Sequence, residues 1–392
     1  MTGFLQHTAA AARREIGRIA GMRMYRMLLF YLPLVAFGFF AIYFSKGVAR
    51  NIPIAVVDED HTDLSRKLTE MIDAAPTAYV AYSVPSMVEG ERLIREGRVS
   101  AVVLIPSRFE KQILGGVPVP VEAYIIGTNI TVNGLVAKDL QTVVTTFSAG
   151  IQLQLLTAHG MAETEAMSQI MPVRFDRHVL FNPYVNYGYY LAPSFMPMML
   201  LIFAVMATMF ALGTELKYGT AREWLRTGGD SITAALIGKL LPVTVMLLLQ
   251  AFVMLVILLK VVGVPLNGSY AVLWAGTVCF LLGYQAIAVL IVALMANLRL
   301  SLSLGGGYSV LAFTFSGLTF PIMAMWVPMQ WMSRCFPFTY YTDLIIDQML
   351  RGAPVVYSLP DLGYMALFAV LPMVVLPRLR KVCTEPKYWG RM

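Results

Sequence analysis

The densest run of polar side chains is an acidic stretch that could hold a divalent cation. Asp58, Asp60, His61 and Asp63 lie within six residues, directly after a short apolar run of strand length. Carboxylate oxygens suit hard cations such as magnesium, calcium or manganese, and an imidazole can add a ligand. The same stretch also fits a strand-to-helix turn in which Thr62 or Asp63 caps the helix and the acids favour its positive end. Both interpretations stay open at the level of sequence.

Other catalytic motifs are absent from the sequence. The remaining histidines, His7, His159 and His178, belong to no zinc-binding HExxH pattern and stand near no GxSxG nucleophile motif. A phosphate-binding GxxxxGK[ST] loop is also missing, because the pair Gly238-Lys239 has Thr233 where the first glycine belongs. If ATP is used, another chain must bind it, and we expect no cofactor on this one.

The composition is that of a membrane protein. Of the 392 residues, 58% are apolar and 14% are charged, and the mean hydropathy is +0.67. Soluble domains usually contain about 45–50% apolar residues and about 25% charged residues. The composition therefore excludes a soluble enzyme and a disordered chain. Six apolar segments could cross about 30 Å of hydrocarbon, the shortest with local thinning of the bilayer: Met27–Ser45, Leu191–Leu212, Leu240–Leu259, Ala271–Met295, Leu302–Phe320 and Leu362–Leu376.

The positions of Lys and Arg predict the orientation. Residues 1–26 hold five of them, the loop 213–239 holds four and the tail 377–392 holds five, whereas the short loops on the other side hold three. Because basic residues concentrate on the cytoplasmic side, both termini are predicted to be cytoplasmic, which requires an even number of crossings. Six crossings satisfy this. Anionic lipid explains the basic excess, so nucleic acid is not expected as a partner.

Residues 46–190, between the first two spans, look like soluble protein. They carry 12 Lys and Arg against 15 Asp and Glu. Three apolar runs of strand length alternate with helical segments: Ile52–Val57, Ala101–Ile105 and Val119–Ile126. This βαβαβ order predicts a small α/β domain, and after Asn129 a long helical pattern follows to about Gln154. The predicted fold is a bundle of six transmembrane helices with an inserted extracytoplasmic α/β domain.

The cytoplasmic loop 213–239 is a second candidate site. Thr220 and Glu223 have capping-box spacing, which predicts a short helix over Ala221–Arg226 before a glycine pair breaks it. Trp224 stands in this helix among charged residues. Such an amphipathic turn could dock in a groove on a soluble partner, or it could be a plain interfacial connector.

Few polar residues occur within the predicted spans. Their central stretches contain no Asp, Glu, Lys or Arg, which argues against proton-coupled transport. The main polar residues that these stretches do contain are Gln250 and Gln285. They either form hydrogen bonds between helices or mark a route for substrate.

Several short motifs, in this order and spacing, resemble the permease of type-2 ATP-binding-cassette exporters, particularly the multidrug or lipid efflux branch. The layout of one span, a large outside domain and five further spans is similar as well. The motifs are Phe181-Asn182-Pro183, Thr214-Glu215-Leu216-Lys217-Tyr218-Gly219-Thr220, Ser316-Gly317-Leu318-Thr319-Phe320-Pro321, Phe336-Pro337-Phe338-Thr339-Tyr340-Tyr341 and Arg351-Gly352.

The resemblance implies roles for three groups of residues. Glu215, Gly219, Thr220 and Glu223 would belong to an ATPase-coupling segment, and Lys217, Arg222 and Trp224 of the same stretch are further candidates for it. An amphipathic connecting helix over residues 1–26 would include Arg13, Arg14, Arg18 and Arg23. Residues 321–350 would form re-entrant helices at the outer mouth of the substrate path. The candidate residues for this path are Gln250, Gln285, Phe320, Pro321, Phe336 and Pro337.

The resemblance also implies partners. ATP and magnesium would bind to ABC ATPase subunits, a second permease copy or a sister permease would complete the path, and a periplasmic adaptor could dock on the outside domain. The substrate would be drug-like or lipid-like and would leave a bacterial inner membrane. Relatives usually carry a more charged run where this chain has Glu215-Leu216-Lys217-Tyr218.

Two other functions stay open at this level. The acidic stretch at 58–63 could be the active site of a membrane-anchored, metal-dependent transferase. Alternatively, the outside domain alone could act as a receptor or scaffold.

Overall fold

The computed structural model describes residues 2–45, 47–171, 178–183 and 185–390. The chain divides into two compact units, which we call the helical unit (residues 1–48 and 179–392) and the sheet unit (residues 49–178). Five residues that enter the charge counts above lie outside the described ranges: Lys46, Arg174, Asp176, Arg177 and Arg391.

The described elements follow in chain order. They are α1 Thr2–Gly21, α2 Arg23–Tyr43, β1 Ile52–Asp58, α3 Asp63–Asp73, β2 Ala78–Val84, α4 Met87–Arg95, β3 Ala101–Ile105, α5 Phe109–Leu114, β4 Glu122–Ile125, α6 Ile130–Ala158, α7 Glu163–Ile170, α8 Tyr187–Lys217, α9 Ala221–Thr227, α10 Ile232–Val261, α11 Tyr270–Met295, α12 Leu298–Thr314, α13 Val327–Ser333, α14 Pro337–Ile345, α15 Val355–Ala369 and α16 Pro372–Thr384.

Within the described ranges, five helical segments are long and apolar enough to cross a membrane. They are α2, α8, α10, α11 and the segment Val355–Thr384, which joins α15 and α16. The predicted crossing at Leu302–Phe320 corresponds to α12, whose 17 residues rise only about 25 Å. This helix begins earlier than predicted because the Asn297 side chain accepts the backbone N–H of Leu300 at 3.0 Å, and it ends before a turn at Gly317, where φ is +89°.

Two further segments depart from simple crossings. The predicted span Leu362–Leu376 contains a break, since α15 ends at Ala369 and α16 begins at Pro372. Residues 321–350, predicted to be re-entrant, contain a short turn of 3-10 helix at Ile322–Ala324 and then α13 and α14. Aromatic and apolar side chains of this segment are exposed, including Met323, Trp326 and Trp331.

The sheet unit contains a four-stranded sheet in the order β2-β1-β3-β4. Strand β1 pairs in parallel with β2 and β3, whereas β4 is antiparallel to β3. The alternation of β1 directs Ile54 toward a core shared with α3 and α6, and it directs Val57 toward a second core that contains Leu93 of α4. Helices therefore cover both faces, which explains why β1 is apolar at consecutive positions.

The sequence pattern missed one strand of this sheet and misplaced other bounds. Strand β2, Ala78–Val84, was not predicted, because its burial is only partial and its apolar pattern is weak. The strand predicted at Val119–Ile126 is shorter, Glu122–Ile125. The long helix after Asn129 continues to Ala158, and Asn129 caps it by accepting the N–H groups of Thr131 and Val132.

Candidate functional site

Helices α1 and α10 pack closely because one contact position is a glycine. A Cβ atom on Gly238 would lie 2.4 Å from the carbonyl oxygen of Thr8 and 2.7 Å from the Cβ of Ala11. The absence of a side chain thus lets the first turns of α10 approach α1. The next residue of α10, Lys239, is then placed against Glu15 of α1.

Glu215, in the last turn of α8, is the centre of a buried ion cluster. Arg14 donates to its two oxygens at 2.5 and 3.2 Å, and Lys239 donates to Oε1 at 2.7 Å. Arg18 and the Thr220 hydroxyl also contact this carboxylate. The Glu215 side chain has no exposed surface, so these donors replace the water that a carboxylate would otherwise bind.

Glu15 is the second carboxylate of the cluster. It accepts a hydrogen bond from the hydroxyl of Tyr25 at 2.5 Å and pairs with Lys239. Both Glu15 and Lys239 are almost completely buried. The ammonium group of Lys239 therefore joins helix α1, through Glu15, to the end of α8, through Glu215.

Trp224 of α9 packs against one side of the ion cluster. Its indole ring lies 5.2 Å from the Lys239 ammonium, and its Nε1–H donates to the carbonyl oxygen of Ala235 at 3.1 Å. A cation over an aromatic face adds attraction when both groups are desolvated. These two contacts fix α9 on the start of α10.

The charges of the cluster nearly balance. Three cations, Arg14, Arg18 and Lys239, face two buried carboxylates, and the exposed Glu223 lies 3.9 Å from Arg14. Burial lowers the pKa of Arg18, although the neighbouring Glu15 opposes this effect. Removing either carboxylate would leave an excess of buried positive charge around the other one, which is more costly than replacing the whole network by apolar residues.

The predicted coupling residues occupy three different environments. Glu215 and Trp224 are buried, Gly219 and Thr220 are partly buried in the turn between α8 and α9, and Lys217, Arg222 and Glu223 are exposed. The predicted capping box is wrong, since the Thr220 hydroxyl contacts Glu215 and does not cap α9. Only the exposed residues are placed to contact another protein directly.

The predicted connecting helix is divided in the same way. Arg14 and Arg18 turn inward to Glu215, whereas Arg13 and Arg23 are exposed. The helix ends at Gly21, and Arg23 already belongs to α2. The inward face follows the spacing of Ala11, Glu15 and Ile19, all of which are buried.

The residues predicted for a substrate path do not form one contact network in the structure. Buried Gln250 donates to the carbonyl oxygen of Leu29 at 2.5 Å, while buried Gln285 accepts from the hydroxyl of Thr244 at 2.8 Å. Of the other four residues, Phe320 and Pro321 are exposed and Phe336 and Pro337 are buried.

The acidic stretch of the sheet unit is a capped turn. Asp58 accepts the backbone N–H groups of Asp60 and His61 at 3.0 Å and the Ser65 hydroxyl at 2.7 Å. Thr62 and Ser65 form the capping box of α3, as the turn interpretation anticipated for Thr62. Asp63 is exposed and pairs with Arg66.

The other carboxylate of this turn is also occupied. Asp60 accepts the Thr62 hydroxyl at 2.7 Å and the backbone N–H of Glu110 at 2.9 Å. Burial tends to raise the pKa of Asp60, but these donors outweigh it and lower the pKa. Among the described residues, no group of three or more His, Cys, Asp or Glu side chains is arranged to hold a metal ion. The observed contacts therefore favour the turn over the cation site.

Comparison with known proteins identifies the family. The model of the ABC-2 family transporter proteins matches residues 23–376. The chain belongs to this family. It is therefore the membrane subunit of an ABC transporter and a multi-pass membrane protein, in agreement with its five candidate spans.

Two curated relatives are described as ABC transporter permeases. Each is called "Probable multidrug ABC transporter permease YbhR", one from Escherichia coli strain K12 and one from Escherichia coli O157:H7. Each is 22% identical to this ABC-2 protein over 303 residues, which is 77% of this chain and 79% of the relative.

Sequence reasoning on this ABC-2 protein missed the residues that complete the ion cluster. Glu15 and Tyr25 were not singled out, Thr214 was named only as part of a family motif, and Lys239 was noted only in a glycine-lysine pair. Thr214 accepts from Arg18 at 2.7 Å. One available signal was the position of Lys239 directly after a glycine at the polar end of an apolar helix, where an unpaired ammonium would be costly.

Proposed function

We propose that the chain is the permease of an ABC exporter, which moves a drug-like or lipid-like substrate outward with ATP hydrolysed on a separate ATPase subunit. The observation that carries this proposal is the ion cluster, because it ties α1 to the two helices that flank α9. A displacement of α9 by the ATPase subunit would be transmitted through Trp224 and Lys239 to α1, α8 and α10 together.

In this proposal, the exposed charges around α9 contact the ATPase. Lys217, Arg222, Glu223 and Arg226 are exposed on the same short segment. The buried members, Glu215 and Trp224, hold the segment against the bundle and do not touch the partner. The ATP and magnesium belong to the ATPase subunits, and this chain holds no cofactor.

The topology that we propose has six crossings in a bacterial inner membrane, with both termini cytoplasmic. Helix α12 counts as the fifth crossing despite its length, since an odd number would separate the basic N-terminal and C-terminal segments. The sheet unit then lies outside, where a periplasmic adaptor could dock. Two permease copies, or this chain and a sister permease, enclose the path, in contact with membrane lipid.

A charge reversal on α9 tests the coupling. Arg222→Glu changes an exposed charge outside the ion cluster, and like charges brought together at an interface cost several kcal/mol. With the permease and its ATPase reconstituted in liposomes, we expect substrate-stimulated ATP turnover and export to fall by at least about tenfold. Glu70→Arg, a reversal of an exposed charge on α3 of the sheet unit, should change neither rate.

An unchanged export rate in Arg222→Glu would refute the coupling assignment. If export also tolerates heavy substitution throughout 213–239, the receptor or scaffold function becomes the better account, because that function does not use this loop.

A further inference from the structure

Residues 385–390, which we call the C-terminal turn, fold back onto the segment between α8 and α9. We call that segment, residues 216–220, the coupling turn. The backbone N–H of Gly390 donates to the carbonyl oxygen of Leu216 at 3.0 Å. The N–H of Gly219 reaches the same oxygen at 3.4 Å, so the C-terminal turn supplies a shorter hydrogen bond than Gly219 does.

The side chain of Trp389 makes a second contact with the coupling turn. A Cβ atom on Gly219 would lie 3.9 Å from an indole carbon of Trp389, which is van der Waals distance. Trp389 is partly buried and packs against the core of the helical unit. The two turns are therefore joined through a backbone hydrogen bond and through packing.

The C-terminal turn is itself anchored on the end of α16. Pro386–Tyr388 forms a turn of 3-10 helix directly after this helix. The carbonyl oxygen of Val382 lacks its usual helical donor, because Pro386 has no N–H, and the Trp389 Nε1–H donates to it at 3.2 Å instead. The Tyr388 hydroxyl accepts from the Arg378 guanidinium at 3.2 Å. An anchored C-terminal turn can restrain the position of the coupling turn.

The coupling turn, α9 and the C-terminal turn together carry more exposed positive than negative charge. The exposed charged residues of 216–227 are Lys217, Arg222, Arg226 and Glu223. The C-terminal turn adds Lys387, which is exposed two residues before Trp389 and pairs with Glu385 at 2.7 Å. A partner that covers this surface gains from carboxylates, because complementary charges favour association.

An exposed aromatic side chain stands among these cations. Tyr218 of the coupling turn is 60% exposed, and the Lys217 ammonium lies 5.4 Å from its ring. Tyrosine is one of the residues that most often anchor protein interfaces. The surface therefore combines one aromatic anchor with surrounding positive charge.

We propose that the ATPase subunit binds a composite surface formed by the coupling turn, α9 and the C-terminal turn, and that the complementary groove of the ATPase is acidic. This inference rests on the proposed function, because it names the chemistry of the partner surface that the permease fits. Gly390 and Trp389 are positioning residues that hold the coupling turn, and Lys387 contacts the partner.

Binding of the ATPase subunit to the full-length permease in nanodiscs tests the positioning role. Gly390→Pro removes the N–H that donates to Leu216 and cannot keep the φ of +68° at this position. We expect the dissociation constant to rise at least about fivefold, the effect of one lost hydrogen bond. The ion cluster is untouched, so the melting temperature should stay at the wild-type value.

Gly390→Asn is the matched control. It retains the backbone N–H, and asparagine tolerates the left-handed conformation better than most residues. This variant should bind the ATPase like the wild type.

A charge reversal tests the contact with the partner. Lys387→Glu should raise the dissociation constant at least about tenfold and make the association rate less sensitive to salt, because like charges would then meet across the interface. A merely structural role of Lys387 would not change the salt dependence. Lys387→Arg keeps the charge and should behave like the wild type.

The outcomes separate this inference from the proposed function. Wild-type affinity and salt dependence in Lys387→Glu, or equal affinities of Gly390→Pro and Gly390→Asn, would overturn the inference. If Arg222→Glu weakens binding but the C-terminal variants do not, the coupling assignment stands and this inference alone fails. A wild-type permease that binds no ATPase would instead refute the proposed function.

Discussion

The molecule gathers acidic residues in two places that differ in almost every physical respect. The turn at 58–63 of the sheet unit concentrates its acids along the sequence, and their oxygens accept hydrogen bonds from nearby backbone and hydroxyl groups. The cluster of the helical unit contains two buried carboxylates from distant helices, and both are paired with the buried ammonium of Lys239. Glu215 is also paired with Arg14 and Arg18. The density of acidic residues along the sequence therefore does not predict which carboxylates are buried and paired with cations.

The difference lies in solvation. The acids at 58–63 remain near water, so their contacts shape a turn and each contributes little. Glu15 and Glu215 have lost their water, so every partner of theirs becomes necessary for the packing of α1, α8 and α10. We therefore expect substitutions in the ion cluster to affect stability and coupling together, and substitutions in the turn to act locally.

The largest effect is expected from Lys239→Met. This change removes the ammonium between Glu15 and Glu215 and leaves Glu15 with the neutral Tyr25 hydroxyl. Breaking a buried ion pair from one side costs about 3–5 kcal/mol. The full-length protein in nanodiscs should show a loss of that size as a lower melting temperature and a lower yield.

A double variant sharpens this prediction. Glu15→Gln combined with Lys239→Met removes both charges of one pair, and we expect it to recover at least about 1 kcal/mol relative to Lys239→Met. Equal destabilisation of the single and double variants would mean that the pairing is not the source of the effect.

An intermediate effect is expected from Gly238→Ala, which leaves every charge in place. The new Cβ would meet the Thr8 carbonyl oxygen at 2.4 Å, so α1 must move away from α10. Overpacking of this kind costs about 1–3 kcal/mol. We expect a lower melting temperature and weaker coupled ATP turnover.

Gly17→Ala, on the same helix α1, is the matched control. A Cβ at Gly17 would meet nothing within 4 Å, so this variant should be neutral or stabilised by up to about 1 kcal/mol through helix propensity. If both glycine variants behave alike, the close approach of α1 and α10 does not support the cluster.

The smallest effect is expected in the acidic turn, and it depends on pH. The pKa of Asp60 is lowered in the folded protein, so its contribution to stability is complete above the unfolded value of about 3.9 and is lost as the pH falls through the folded value. Asp60→Asn should remove this acid dependence. Hydrogen exchange of the Glu110 amide, which donates to Asp60, is the measurement.

Transport assays and added cations distinguish the acidic turn at 58–63 from the ion cluster. Asp60→Asn should leave transport unchanged at neutral pH, and added magnesium or calcium should not protect the wild-type turn. Protection by millimolar cation would restore the metal-site interpretation of 58–63 and reduce the difference between the acidic turn and the ion cluster.

Much of the fold could be predicted because it depends on local patterns. Apolar stretches around Leu191–Leu212 and Ala271–Met295 are long enough to identify spanning helices. The helix α9 was predicted from its glycine stop and from a capping-box spacing that the structure does not use. Spanning helices were predicted less accurately where the apolar segment was barely long enough to cross the membrane. The short α12 and the interrupted segment Val355–Thr384 both depend on how neighbouring helices pack.

The sequence by itself determined that this chain enters a membrane, which segments are apolar enough to span it and which family it resembles, because hydropathy and short motifs are properties of neighbouring residues. Only the tertiary structure decided which charges are buried together. Glu15 and Lys239 are 224 positions apart, and their pairing depends on the close packing of α1 and α10 at Gly238. No local pattern encodes that contact, since it arises from the packing of helices that are distant in the chain.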